Sequence, residues 1–337
     1  GYSVLAKHIK SISELKEKLR APGAEIVFTT IQKFETKQEI LSENHNIIIV
    51  ADEAHRSQYK EFAGNIRDAL PNASYMGITG TPISFMDRDT RLVFGDFIST
   101  YPIDQSVADR ATLPLYYESN LVPLNLENHN IDEECDMLLK GKDGFSGLSK
   151  EQADEIKHKL VRLEEAVGAP DRLDKIAEHI VNHFNNRGLE GKAMVAVISR
   201  RVAVELYKRI SSRTDAPRTA AVISNPDEFR DEMQKERSAK ELEKQFKNVN
   251  HPLSIAIVCD MWLTGFDVPI VHTMYIDKPL KGHTLMQAIA RANRVYKDKP
   301  AGLIVDYIGI ANELKKSLSS YSSGSKDRGV FPLEEAI

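Results

Sequence analysis

The run Asn46-Ile47-Ile48-Ile49-Val50-Ala51 is apolar and β-branched, and it ends abruptly in Asp52-Glu53-Ala54-His55. A buried strand that delivers two adjacent carboxylates to its carboxyl end is costly unless a cation satisfies them. In open α/β sheets that edge is also where ligands sit. Asp52 can hold Mg²⁺ directly or through water, and Glu53 can orient and deprotonate a water attacking a bound nucleoside triphosphate. His55 is then placed to sense the state of the site. An isolated Asp-Glu pair more often just caps the helix that follows, so the surrounding segments have to decide.

Tyr75-Met76-Gly77-Ile78-Thr79 runs into Gly80-Thr81-Pro82, which sets a tight turn and two hydroxyls at a second strand end. Phe28-Thr29-Thr30-Ile31-Gln32 ends a strand in hydroxyl and amide groups, the chemistry of phosphate and sugar contacts. Cys259-Asp260-Met261-Trp262-Leu263-Thr264-Gly265-Phe266-Asp267 follows another strand and groups a hydroxyl, a flexible glycine and a carboxylate. Leu285 to Arg294 reads as a helix. On it Gln287, Arg291 and Arg294 fall at about 0°, 40° and −20°, one stripe suited to a triphosphate. A solvated basic helix face would present the same pattern. Arg200, after the apolar run from Met194 to Ser199, is either a phosphate contact at a helix N-terminus or a solvated arginine.

Eight short apolar runs carry these groups: Glu25 to Phe28, Asn46 to Ala51, Ser74 to Thr79, Lys192 to Ser199, Thr219 to Ile223, Leu253 to Asp260, Val271 to Ile276 and Ala301 to Asp306. Buried parallel strands read this way. Helical patterns lie at Gln58 to Leu70, Arg200 to Ile210, Asp231 to Phe246 and Leu285 to Arg294, so strand and helix alternate. Residues 1–124 are expected to form one α/β block and 171–310 a second. A polar connector over 125–170 joins them, and 311–337 is a tail that frays or leads into a further region. After Pro170, the spacing of Leu173, Ile176, Ala177, Ile180 and Val181 predicts the helix that opens the second block.

The 337 residues, 42% hydrophobic and 28% charged, are enough for two sizeable cores. A net charge of −4 advertises no overall affinity for nucleic acid, so any such binding must be a local patch. Two cysteines far apart exclude a disulfide framework and a zinc cluster, and no apolar run reaches membrane-spanning length. A cytoplasmic location is the expectation.

Asp52-Glu53-Ala54-His55 followed by Thr79-Gly80-Thr81-Pro82 resembles the ATPase and coupling motifs of superfamily 2 helicases and DNA translocases. The fuller wording Asp52 to Tyr59, Gly77 to Ile83, Leu263 to Asp267 and Tyr275 to Lys281, leading into the arginine helix, looks like the motor (R) subunit of type I restriction enzymes. That resemblance implies an α/β fold of two RecA-like domains with mostly parallel sheets. It implies ATP and Mg²⁺ as cofactors, with Asp52, Glu53, His55, Gln287, Arg291 and Arg294 as catalytic residues. Gly265 and Asp267 would lie at the nucleotide, Thr79, Gly80 and Thr81 would couple, and Thr30, Gln32, Arg200 and Thr264 would contact double-stranded DNA. Methylase and specificity subunits are the implied partners. A strand-separating helicase, or a nucleotide-independent DNA-binding or docking module, remains the alternative. No G-x-x-x-x-G-K-[ST] pattern occurs, since Gly141-Lys142 and Gly191-Lys192 are followed by Asp143 and Ala193. The expectation is a first domain truncated before its P-loop, with exposed apolar sheet surface and no activity by itself.

Overall fold

The computed structural model describes residues 6–20, 23, 25–34, 39–54, 64–80, 94–124, 149, 158, 161–224, 229, 238–321 and 330–332. Two compact units emerge, residues 1–100 and 101–337.

The first unit holds two parallel pairs. β1 (Ala6–His8) lies beside β2 (Ile26–Phe28), and β3 (Ile48–Ala51) lies beside β4 (Ser74–Gly77) in the register Ile48↔Ser74 to Ala51↔Gly77. Alternation along the strands sorts their side chains between two faces. Ile49 and Tyr75 turn onto a core of Ile9, Leu15, Phe34, Leu41, Ile66 and Leu70. The Tyr75 hydroxyl donates to the Leu70 carbonyl at 3.0 Å. Ile48 and Val50, 72% and 53% exposed, turn the other way with Met76, and Ile26 and Phe28 are exposed on β2. This unit therefore shows solvent an apolar sheet face, so the runs Glu25 to Phe28 and Asn46 to Ala51 are not the buried strands that their composition suggests.

The second unit is built on a seven-stranded sheet. Its strands are β5 (Leu115–Ser119), β6 (Lys192–Val197), β7 (Thr219–Val222), β8 (Ile255–Val258), β9 (Val271–Asp277), β10 (Gly302–Asp306) and β11 (Val330–Pro332), in the order β11-β5-β10-β9-β6-β8-β7. Every pairing is parallel. Every residue of β6, β8, β9 and β10 is buried, which is why these strands read as continuous apolar runs. Separate cores cover the two faces. One centres on Met194, Phe246, Met274 and Ile304, the other on Leu173, Ile180, Val195, Tyr275 and Tyr307.

Two expected boundaries move. Residues 101–124 pack with the second unit, because β5 pairs with β10 from Leu115↔Gly302 to Ser119↔Asp306. The bond from the Leu113 amide to the Asn293 carbonyl, 2.7 Å, ties its entry as well. The expected fraying tail holds a helix, Ala311–Tyr321, that buries Leu314 and Ser317, and β11 extends the sheet. Most of the 125–170 connector lies outside the described residues, but Leu163 and Val167 are fully buried in the second unit.

The long helix α3 (Pro170–Asn186), which follows α1 (Ile12–Arg20) and α2 (Ile103–Ala108), buries the predicted stripe of Leu173, Ile176, Ala177, Ile180 and Val181. Proline at its first position costs no hydrogen bond. Arg172 in its first turn is buried and makes a bidentate pair with Asp277 at the end of β9, at 2.9 and 2.5 Å, while also donating to the Val167 carbonyl at 3.0 Å.

Candidate functional site

In the first unit the two carboxylates stand at the carboxyl end of β3. Asp52 is exposed and accepts the Glu53 amide on Oδ1 at 2.9 Å. Glu53 has φ 51°, a left-handed conformation that a non-glycine residue adopts only when its surroundings enforce it. They do so here: the Ile78 amide donates to the Ala51 carbonyl at 2.8 Å, and the Ala54 amide to the Ile78 carbonyl at 3.1 Å. Gly77 allows this close approach, because a Cβ there would lie 3.0 Å from both the Ala54 Cβ and the Phe94 ring. The turn 52–54 and the strand exit leading to Thr79 and Gly80 are thereby locked side by side. Thr30 begins the 3-10 turn Ile31–Phe34, accepts Lys33 Nζ on Oγ1 at 3.3 Å and is exposed, as is Gln32. His55 and Thr81 lie outside the described residues.

Among the described residues no group of three or more His, Cys, Asp or Glu side chains is placed to hold a metal. Two carboxylates with hard oxygen donors fit a cation that brings phosphate and water oxygens with it, which is how Mg²⁺ is ordinarily bound.

In the second unit the loop between β8 and β9 presents Thr264, Gly265 and Asp267 to solvent. Its rigidity comes from beneath. Trp262 and Phe266 are buried and stack 4.1 Å apart with an interplanar angle of 6°, and both rings meet Phe246 of α5 (Ala239–Lys247). Gly265 has φ 67°, a turn that favours glycine. The helix α6 (Gly282–Ile289) carries Gln287, but Arg291 and Arg294 lie beyond its end. Its last bonds tighten to Arg291 N–H to Ala288 O and Ala292 N–H to Ile289 O, at 3.1 and 2.9 Å. The chain must then release Asn293, whose carbonyl accepts the Leu113 amide just ahead of β5. So the expected single helical stripe does not form.

The loop restores the grouping that the helix does not provide. Arg291 Nε donates to the Gln287 carbonyl at 3.1 Å and Nη1 donates to the Phe266 carbonyl. Arg294, roughly half exposed, has Nε 3.6 Å from Asp267 Oδ1. Burial, with Arg294 alongside, lowers the Arg291 guanidinium from its ordinary value. Arg291 is thus engaged with backbone, while Arg294 and Asp267 face solvent together. Arg200 stands at the first position of α4 (Arg200–Ser211), after the Ser199 cap. It lines a cavity of about 250 Å³ with Ser199, Ser224, Asp260 and Met261. Sequence reading quotes Lys278 only within the run Tyr275 to Lys281 and passes over Lys299, giving neither a role, yet both bond to this loop.

The SWI2/SNF2 ATPase family matches residues 3–146, and type I restriction enzyme subunit R domain 3 matches residues 223–309. The chain is 47% identical over 333 residues to the type I restriction enzyme MjaIXP endonuclease subunit of Methanocaldococcus jannaschii, covering 95% of this chain and 32% of that protein. It is 40% identical over 336 residues to the HindI endonuclease subunit of Haemophilus influenzae, covering 89% and 31%. The chain therefore spans about a third of the length of these relatives. Among solved structures, a fragment assigned to the HsdR subunit of a type I restriction enzyme from Vibrio vulnificus superposes with a TM-score of 0.63 at 18% identity, over 94% of this chain and 53% of that one. The DNA-bound, ATP-dependent type ISP restriction-modification enzyme LlaBIII gives 0.57 at 13%, over 98% and 26%. These two likenesses show the fold, a RecA-like α/β architecture. Motif wording, family matches and sequence identity agree, and the chain belongs to the type I restriction enzyme R subunits.

Proposed function

We propose that this chain is the motor portion of a type I restriction endonuclease R subunit, driving translocation of double-stranded DNA by ATP hydrolysis in a complex with methylase and specificity subunits. The observation that carries this reading is the enforced turn at Asp52-Glu53, fixed beside Thr79-Gly80 at neighbouring strand ends. Asp52 would hold Mg²⁺, which neutralises phosphate charge when bound. Glu53 would take the proton of the attacking water. Arg294 would stabilise charge on the transferring γ-phosphoryl group, with Gln287 nearby and Gly265 and Asp267 at the nucleotide. Thr79 and Gly80, with Thr81, would couple that chemistry to DNA, and His55 would sense it. Thr30, Gln32, Arg200 and Thr264 would contact the DNA backbone, giving binding that ignores sequence and weakens with salt. No helix among the described residues is long and apolar enough to cross a membrane.

The test is ATP-dependent displacement of a DNA triplex by the full-length subunit in its complex. Displacement without strand separation supports a translocase, whereas ATP-driven unwinding of a forked duplex would replace this reading with a strand-separating helicase.

A further inference from the structure

Three cations from the 278–299 stretch end on backbone carbonyls in or beside the loop that carries Thr264, Gly265 and Asp267. Lys278 Nζ donates to the Cys259 carbonyl at 2.9 Å, where the loop leaves β8. Arg291 donates to the Phe266 carbonyl in its middle. Lys299 Nζ donates to the Pro269 and Val271 carbonyls at 3.2 and 2.6 Å, where the loop enters β9, and to the Arg294 carbonyl at 3.0 Å. An ammonium has three donors, and those of Lys299 are all met by carbonyls. One side chain therefore holds the end of the loop and the backbone of Arg294 together.

Bonds to carbonyls fix the path of the chain, which an ion pair between side-chain tips does not. Lys278 also meets Asp260 Oδ1 at 2.6 Å, but that carboxylate is mostly solvated, and exposed ion pairs contribute little. Hydrogen bonds from a charged donor are the stronger kind. Burial pulls the Lys299 ammonium down to about 8, so it sits desolvated in this cage while still mostly charged at neutral pH. The Trp262–Phe266–Phe246 stack supports the loop from beneath, but its backbone bonds are few, Leu263 N–H to Asp260 O and Val271 N–H to Val268 O at 3.3 and 3.1 Å, so its two ends rely on these cations.

We propose that Lys278 and Lys299, with Arg291, form a clamp that makes the Thr264–Asp267 loop and the Arg294 segment move as one piece, so that DNA contact at the loop is transmitted to the phosphate-facing arginine. Lys278 and Lys299 are positioning residues and touch neither ligand. This inference rests on the motor reading above.

The test is ATP turnover with and without DNA by the full-length subunit in its complex, comparing wild type, Lys299→Met, Lys299→Arg, Lys278→Met and Arg294→Ala. Lys299→Met is expected to keep the DNA-free rate and the KM for ATP, and to lose about tenfold in stimulation by DNA, a coupling loss of ordinary size. Lys299→Arg should recover part of it. Lys278→Met gives the same signature more weakly, and serves if Lys299→Met does not fold. Hydrogen exchange should show the amides of 260–271 less protected in either variant. Equal losses in the DNA-free and stimulated rates, or no loss in either, would overturn the clamp. A wild type whose turnover ignores DNA, or an Arg294→Ala variant as fast as wild type, would instead overturn the motor reading and the clamp with it.

Discussion

Glu53 stores backbone strain at the residue where hydrolysis is proposed to begin. A left-handed glutamate costs on the order of 1–3 kcal/mol, and it persists because the bonds through Ala51, Ala54 and Ile78 leave the chain no other path. That constraint fixes the backbone that carries the carboxylate, so a change confined to the side chain's chemistry should leave the turn in place. Glu53→Gln in the full-length subunit is expected to retain nucleotide binding and slow hydrolysis by about 10²-fold or more, since the amide keeps the shape and loses the basic oxygen. Unchanged steady-state turnover would reject the assignment. Arg294 calls for a different magnitude. A guanidinium at the γ-phosphoryl group contributes about 10³ to 10⁵ in rate. Arg294→Ala with ATPase within about threefold of wild type, a difference under 1 kcal/mol, would end its candidacy.

Among the elements, β9 and α3 are joined by charge in a place where charge is expensive. Arg172 and Asp277 are both buried, and burial pushes the Asp277 carboxyl up against the opposing pull of its partner. Removing one member leaves an uncompensated charge, so Asp277→Leu should cost about 3–5 kcal/mol, while the double change Arg172→Met with Asp277→Leu should recover most of it. Denaturant unfolding of the single and double variants checks this. The same sheet carries an acid-sensitive group. Burial, with Arg187, Lys299 and His183 around it, pulls the His272 imidazole down to about 4, below its ordinary 6.5. The unfolded chain then binds more protons between those values, so stability present above pH 6.5 is lost as pH falls toward 4, by up to about 3 kcal/mol. His272→Gln should flatten that limb of a Tm-against-pH curve. An unaltered curve would show that acid acts elsewhere. Strands buried on both faces were the elements most legible in the sequence, because burial leaves them continuously apolar. β5 was not, since Leu115-Tyr-Tyr-Glu-Ser mixes polar and aromatic groups and its pairing with β10 is a long-range contact. The end of α6 was illegible for a related reason. Periodicity continues through Arg294, but the helix ends at Ile289 and the Asn293 carbonyl is taken by the Leu113 amide, in the segment leading into β5.

For the molecule as a whole, the two units differ in how much surface they bury. Among the described residues, the first has small two-stranded sheets with one apolar face in solvent, and the second has a seven-stranded sheet with a core on each side. Hydrophobic stabilisation follows buried apolar area, so the first unit should be the weaker. The residues proposed to face the nucleotide, Asp52 and Glu53, are both acidic. The 337 residues contain no G-x-x-x-x-G-K-[ST] segment to wrap the phosphates in backbone N–H groups and supply a lysine and a magnesium-binding hydroxyl. Without that cradle the triphosphate meets two like charges, and Mg²⁺ alone must offset the repulsion. This chain by itself is therefore expected to unfold in two calorimetric transitions, the first belonging to residues 1–100. Millimolar Mg-ATP should move neither. A ligand at a hundred times its Kd raises the stability of the unit that binds it by about 2.7 kcal/mol, enough to displace a transition by several degrees in a domain of this size. A clear upward shift of the first transition with Mg-ATP, matched by micromolar binding in isothermal titration, would show that these residues hold the nucleotide without a phosphate loop.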